Sequence, residues 1–378
     1  MSPPAPRILM TTDAVGGVWT YATGLALALC RRGHEVALVT LGPPPRRDQM
    51  ERLRLAAGPT VEVTDLALEW MDPEGNDMAR AAGRLRRLVD RFEPDIIHLN
   101  GFREATYGFA PPSLVVAHSC VGSWWRACRP NRPLDASWQP YLRHAASGLD
   151  AADAWAAPTA AYRGWLEAHY RPRRSGHAIW NGVAVAPAAT DKQPFILAAG
   201  RLWDEAKNIA AVAAVASALD WPVRLAGPTK SPNGSSGKVA RGLVVLGAVP
   251  HAEMIAQMRR ASIFVAPALY EPFGLTVLEA ALCGCALILS DIPTFRELWD
   301  GAALFVGPRD AGALAHALRR LCADAVLRAK LVRAAQARAR RYSLDAMLDD
   351  YRCLYGTLHG RRADIRTGGA QPAMELGA

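Results

Sequence analysis

No stretch of this chain approaches the roughly 18 consecutive apolar residues of a membrane-spanning helix, although 51% of its residues are hydrophobic. The opening Met1-Ser-Pro-Pro-Ala-Pro6 has no apolar segment of the kind that marks a secretory signal, so a cytoplasmic location is expected. Cysteine is sparse and unpatterned: seven residues, an odd number, at Cys30, Cys120, Cys128, Cys283, Cys285, Cys322 and Cys353. Cys283 and Cys285 are one residue apart, the wrong interval for a zinc knuckle, and the set reads as reduced, mostly buried thiols. The full G-x-G-x-x-G fingerprint of dinucleotide folds is missing, which argues against a dehydrogenase. No Asp-x-Asp metal motif follows a strand in the first half, and no lysine stands out as a pyridoxal anchor. Neither a metal nor another cofactor is expected. Aromatic residues, 7% of the chain, do not alternate with basic ones as a stacking platform requires, so nucleic acid is not an expected partner.

What is present is length, arginine and a repeated pattern. A chain of 378 residues suits two ordinary domains. The net charge of +9 reads either as the mark of a GC-rich bacterial genome or as affinity for anionic donors or an anionic membrane. Within it, Arg80 to Arg91 reads as a solvated helix face or as a peripheral contact with the inner face of the membrane. The short apolar run Arg7–Thr12 predicts a strand, Gly16-Gly17 a turn, Trp19–Arg32 a helix capped by Gly33, and Glu35–Leu41 a second strand. Ala79–Phe92 predicts a helix, with strands at Asp95–Leu99 and Ser113–His118. After a linker at Ala184–Lys192, strands recur from Phe195, Val223, Leu243, Ile263 and Ala286, with helical patterns between them. Two successive parallel α/β halves follow, whose ligands sit at the carboxyl ends of strands, in the cleft.

The most informative stretch is Ala268-Leu-Tyr-Glu271-Pro-Phe-Gly-Leu-Thr-Val-Leu-Glu279-Ala-Ala-Leu-Cys-Gly284. A strand precedes it and Gly274 opens a helix, a combination that points unpaired N–H groups and a positive helix end at one place. That is an anion site, bracketed by two carboxylates suited to sugar hydroxyls. The pairing suggests a ligand with both phosphate and sugar, a nucleotide-sugar. With the following Cys283-Gly-Cys-Ala-Leu-Ile-Leu-Ser-Asp-Ile-Pro-Thr-Phe-Arg-Glu297 and Asp300-Gly-Ala-Ala-Leu-Phe-Val-Gly307, the stretch resembles the Glu-x7-Glu signature of retaining glycosyltransferases of family GT4. The resemblance implies a GT-B fold, two Rossmann-like parallel-sheet domains facing across a cleft. It places an acceptor domain at 1–185, a donor domain at 186–342 and a helix crossing back to the first domain at 343–360. The remainder, 361–378, lacks periodicity and reads as a frayed tail.

Residue by residue, the resemblance implies that Glu279 holds the ribose hydroxyls and Glu271 the donor-sugar hydroxyls. Backbone N–H groups of Phe273, Gly274, Leu275 and Thr276 would hold sugar and phosphate, and Val249 the nucleobase. Gly16 and Gly17 occupy the place where a first-domain glycine faces the donor phosphate, although alone they fit any βα turn. Arg201 and Lys207 would neutralise the pyrophosphate, replacing a metal; the spacing between them departs from the family pattern. His118 matches a histidine near the donor sugar and acceptor. Trp19, Trp124 and Trp125 are candidates for stacking an acceptor, with core packing the equal alternative. The implied reaction moves a sugar, most simply from a UDP-sugar, to a hydroxyl of a sugar, lipid or small molecule. Glu271 is assigned to hydroxyl binding and no other nucleophile is offered, so same-face attack is the expected route to retention. A nucleotide-sugar epimerase, and a sugar-nucleotide or membrane-binding module without transfer activity, are the rival readings.

Overall fold

A computed structural model describes residues 5–51, 53–54, 58–186, 191–231 and 243–367. Seven strands build the first sheet: β1 (Ile8–Asp13), β2 (Val36–Leu41), β3 (Thr60–Val63), β4 (Ile96–Leu99), β5 (Ser113–Val116), β6 (Ala154–Ala157) and β7 (His177–Ala178). Six build the second: β8 (Gln193–Ala199), β9 (Val223–Ala226), β10 (Val244–Gly247), β11 (Ala261–Ala266), β12 (Ala286–Ser290) and β13 (Leu304–Val306). Every pairing is parallel. The orders are β3-β2-β1-β4-β5-β6-β7 and β10-β9-β8-β11-β12-β13. In each sheet the order reverses beside the first strand of that half, and a crevice opens at the carboxyl ends there. Helices cover both faces, so central strands such as β2 and β12 are buried at every position. This is why they read as unbroken apolar runs and not as alternating ones.

The last helix, Leu344–Thr367, returns to the first half. Its Met347, Leu348, Tyr351, Leu354, Tyr355 and Leu358 enter the core that contains Ile8, Tyr21 and Leu25. It extends past the expected end at 360, and residues 368–378 of the expected tail lie outside the described residues. So do 187–190 of the expected linker. Where the chain returns, Val183 bridges Ser343, and the backbones meet so closely that a Cβ on Gly182 would overlap the Ser343 carbonyl.

The basic helix Met78–Phe92 is largely neutralised within the protein. Arg80 pairs with Asp65 and Asp77, Arg84 and Arg91 pair with Glu62, and Arg86 donates to the Tyr107 carbonyl. The charge that suggested a membrane contact is thus mostly spent on internal ion pairs.

Beneath the first sheet, His98 of β4 is fully buried, with Nδ1 2.6 Å from the Tyr355 hydroxyl. Burial pushes its pKa down to about 3, so the ring is neutral.

Two consequences are measurable. Gly182→Ala forces backbone apart and is expected to cost about 1–3 kcal/mol. Gly356→Ala, on the final helix with open space around its Cβ, is expected to gain about 0.5–1 kcal/mol. Urea midpoints would separate them; a neutral Gly182→Ala contradicts the close crossing. For His98, the unfolded ring takes up a proton below its ordinary pH of 6.5 and the folded ring only at about 3. Its contribution is therefore complete above pH 6.5 and is lost as pH falls through that window. The urea midpoint of His98→Phe should fall less between pH 7.5 and 5 than that of the wild type; an equal fall would refute the assignment.

Candidate active site

The two crevices face one another across a cavity of about 960 Å³, large enough for a nucleotide-sugar. From the first half, Gly16, Gly17, Trp19 and His118 line it. From the second come Arg201, Lys207, Val249, Glu271, Phe273, Gly274, Leu275, Thr276 and Glu279. The sequence thus brought together all but two of its candidates.

The second half supplies the polar floor. β11 ends at Ala266 and the helix Leu275–Leu282 begins after Gly274, whose φ of 88° lies in the left-handed region that favours glycine. Val277 and Leu278 make the first helical bonds, to the Gly274 carbonyl. The N–H groups of Leu275 and Thr276 therefore precede the helical ladder and stand at its positive end. Glu271 forms an ion pair with Lys207. Glu279, on the same helix, is buried and its carboxylate lies 2.6 Å from His251 Nε2. Lys207 ends a short turn, Glu205–Lys207, and the next helix starts at Ile209. Cys283 is fully buried and packs.

Arg201 follows β8 and is gripped by Asp204, Nη2 to carboxylate 2.6 Å. Its guanidinium lies against the opposite wall, where a Cβ on Gly16 would stand only 2.8 Å from Nη1. Absence of a side chain at Gly16 is what leaves room for this cation. Asp204 also accepts from Trp124 Nε1 of the first half at 3.0 Å. Burial works against its charge, but Arg201 and the Trp124 N–H hold its carboxyl below the usual range.

Trp124 and Trp125 lie at the border between the halves. Neither is among the cavity-lining residues. Trp124 is engaged with Asp204, Trp125 Nε1 donates to the Arg132 carbonyl, and the Arg129 guanidinium covers both rings at 5.1 and 4.6 Å. One face of each ring thus lies against Arg129. Trp19 reaches the cavity wall, but only 5% of its surface is exposed and it packs chiefly in the core behind that wall.

His118, just past β5, has Nε2 2.7 Å from Asn100 Oδ1 and its ring 4.4 Å from that of Tyr21, edge to face. Burial, and after it the neighbouring His98, push its pKa to about 3, so it is neutral. Asn100, Asp204, His251 and Tyr270 were not singled out from sequence. Asn100 lies at the carboxyl end of β4 beside β1, where the topology directs attention. Asp204 carries no signal that separates it from an ordinary loop acid.

Further bonds join the halves. The Tyr270 hydroxyl lies 2.7 Å from Ser123 Oγ, and Thr159 donates to the Pro272 carbonyl at 3.0 Å. Glu297 accepts from the Ala160 and Ala161 N–H groups at 2.9 and 2.7 Å. Among the described residues, no group of three or more His, Cys, Asp or Glu is disposed to hold a metal, and no helix is long and apolar enough to cross a membrane.

Comparison with known proteins agrees with this geometry. Glycogen synthase of Mycobacterium tuberculosis is 26% identical over 381 residues, spanning 88% of this chain and 90% of that protein. Among solved structures, sucrose-phosphate synthase from Thermosynechococcus elongatus superposes with a TM-score of 0.77 at 20% identity, over 94% of this chain and all, 100%, of the other. The Anabaena protein HepE, solved in complex with UDP and glucose, gives 0.72 at 16% identity over 93% of this chain and 100% of HepE. Residues 15–186 match the model described as Glycosyltransferase Family 4, and residues 193–324 the model described as Glycosyl transferases group 1. The chain belongs to the GT4 family of glycosyltransferases and has the GT-B fold.

Proposed function

We propose that this glycosyltransferase moves a sugar from a UDP-sugar to an acceptor hydroxyl, with retention of anomeric configuration and without a metal ion. One observation carries the reading. Two cations, two carboxylates and a helix N-terminus of the second half share one cavity with Gly16, Gly17 and His118 of the first. A nucleotide diphosphate would lie along the second half. Glu279 would exchange His251 for the ribose hydroxyls, the Val249 backbone would meet the base, and the Leu275 and Thr276 N–H groups would meet phosphate. HepE, solved with UDP and glucose, supports a uridine donor by analogy.

The acceptor would enter from the first half. In the transfer step the bond from the anomeric carbon to the diphosphate oxygen breaks, and a bond from the acceptor oxygen forms on the same face. The acceptor proton passes to the departing phosphate oxygen. Arg201 and Lys207 balance the charge that grows on that diphosphate. The ion pair between Glu271 and Lys207 favours hydroxyl binding over nucleophilic attack for this carboxylate.

Glu279→Ala is expected to weaken UDP binding by about 1–3 kcal/mol; unchanged affinity in titration calorimetry would remove the ribose assignment. Arg201→Ala and Lys207→Ala should lower kcat more than they raise the donor KM, because the charge they meet develops in the transition state. Transfer, followed by product mass with a panel of UDP-sugars and acceptors, should persist in EDTA. Loss with EDTA and rescue by Mn²⁺ would defeat the metal-free mechanism, and an epimeric nucleotide-sugar formed without acceptor would defeat transfer itself.

A further inference from the structure

His118 has two ring nitrogens, and its neighbours decide which of them carries the proton. Asn100 is anchored to β1 at both ends of its reach. Its main-chain N–H donates to the Thr11 hydroxyl at 2.9 Å, and its side-chain Nδ2 donates to the Thr11 carbonyl at 2.6 Å. A carbonyl can only accept, so the amide nitrogen must face Thr11 and the amide oxygen must face away. Turned over, the amide would set one oxygen against another at that distance.

In the orientation that satisfies Thr11, Oδ1 stands 2.7 Å from His118 Nε2 and 3.3 Å from His98 Nε2. An amide oxygen also only accepts. The short contact therefore requires a hydrogen on Nε2 of His118. The ring is neutral at ordinary pH, so its single hydrogen is committed there and Nδ1 keeps a lone pair. We propose that Asn100 is a positioning residue that fixes His118 as the Nε2–H tautomer, so that this histidine meets its ligand as a hydrogen-bond acceptor at Nδ1. The ligand group is then a hydroxyl, of the donor sugar or of the acceptor. Donation of a proton from this ring to the departing diphosphate is excluded by the same geometry.

The ligand part of this inference rests on the glycosyl-transfer reading; the tautomer does not. In the full chain with 15N-labelled histidine, the His118 signals, identified by their loss in His118→Gln, should show a protonated Nε2 and an unprotonated Nδ1 at pH 7. A proton on Nδ1, or a doubly protonated ring, overturns the proposal, whether or not any transfer substrate has been found. Asn100→Ala should release the tautomer and lower kcat about tenfold or more, with donor KM and UDP affinity within about twofold. Full kcat in that variant also overturns the proposal, and the wild-type spectrum decides the tautomer should the variant fail to fold. Hydrolysis of the donor by water separates the two hydroxyl sources. It falls with transfer if the hydroxyl belongs to the donor sugar, and persists if it belongs to the acceptor.

Discussion

One buried carboxylate, that of Asp204, faces both halves of this protein. It holds Arg201 over the cavity and takes the Trp124 N–H from across the cleft. A buried carboxylate is tolerated only when its lone pairs are filled, and here the fillers come from different sheets. The cavity owes its shape to that sharing. Arg201 is aimed at Gly16 because Asp204 fixes it, and Asp204 remains ionised because Arg201 and Trp124 surround it. Tyr270, Thr159 and Glu297 repeat the device along the same border with neutral and charged hydrogen bonds.

The functional groups are arranged by strand ends and held by partners that ligands can replace. Glu271 rests on Lys207 and Glu279 on His251. Each carboxylate is thus kept in place by a nearby base and is not left bare. Exchange of one good hydrogen bond for another is nearly neutral. Recognition of this kind therefore depends on how many such exchanges a ligand makes at once, which favours a molecule long enough to reach all of them.

The second half was more legible in sequence than the first. β8, β11 and β12 are built around apolar runs, Phe195–Ala199, Ile263–Ala266 and Ala286–Leu289, and the Glu271 to Glu279 stretch carries its geometry in its order of residues. β3 was missed because its residues are exposed or half-buried, an edge strand without a hydrophobic signature. The short β7 is exposed at both of its residues. Arg201 stands just past a readable strand and Glu279 within a readable helix. For Trp124 and Trp125, a tryptophan beside a candidate loop reads alike in sequence whether it faces a ligand or a neighbouring arginine such as Arg129. Asn100 acts through Thr11 and His118, and Asp204 joins its near neighbour Arg201 to Trp124, 80 residues away in the chain. Such pairings are invisible until the sheets are assembled.

The meeting of Gly182 with Ser343 has a mechanical meaning. The polypeptide passes between the halves twice, once outward after β7 and once homeward ahead of the final helix. The two passages lie side by side, joined by the Val183 to Ser343 bridge. Two tethers at one spot act as a single narrow joint between the halves. They also make the assembly redundant: a single cut in either passage would leave the halves still joined by the other.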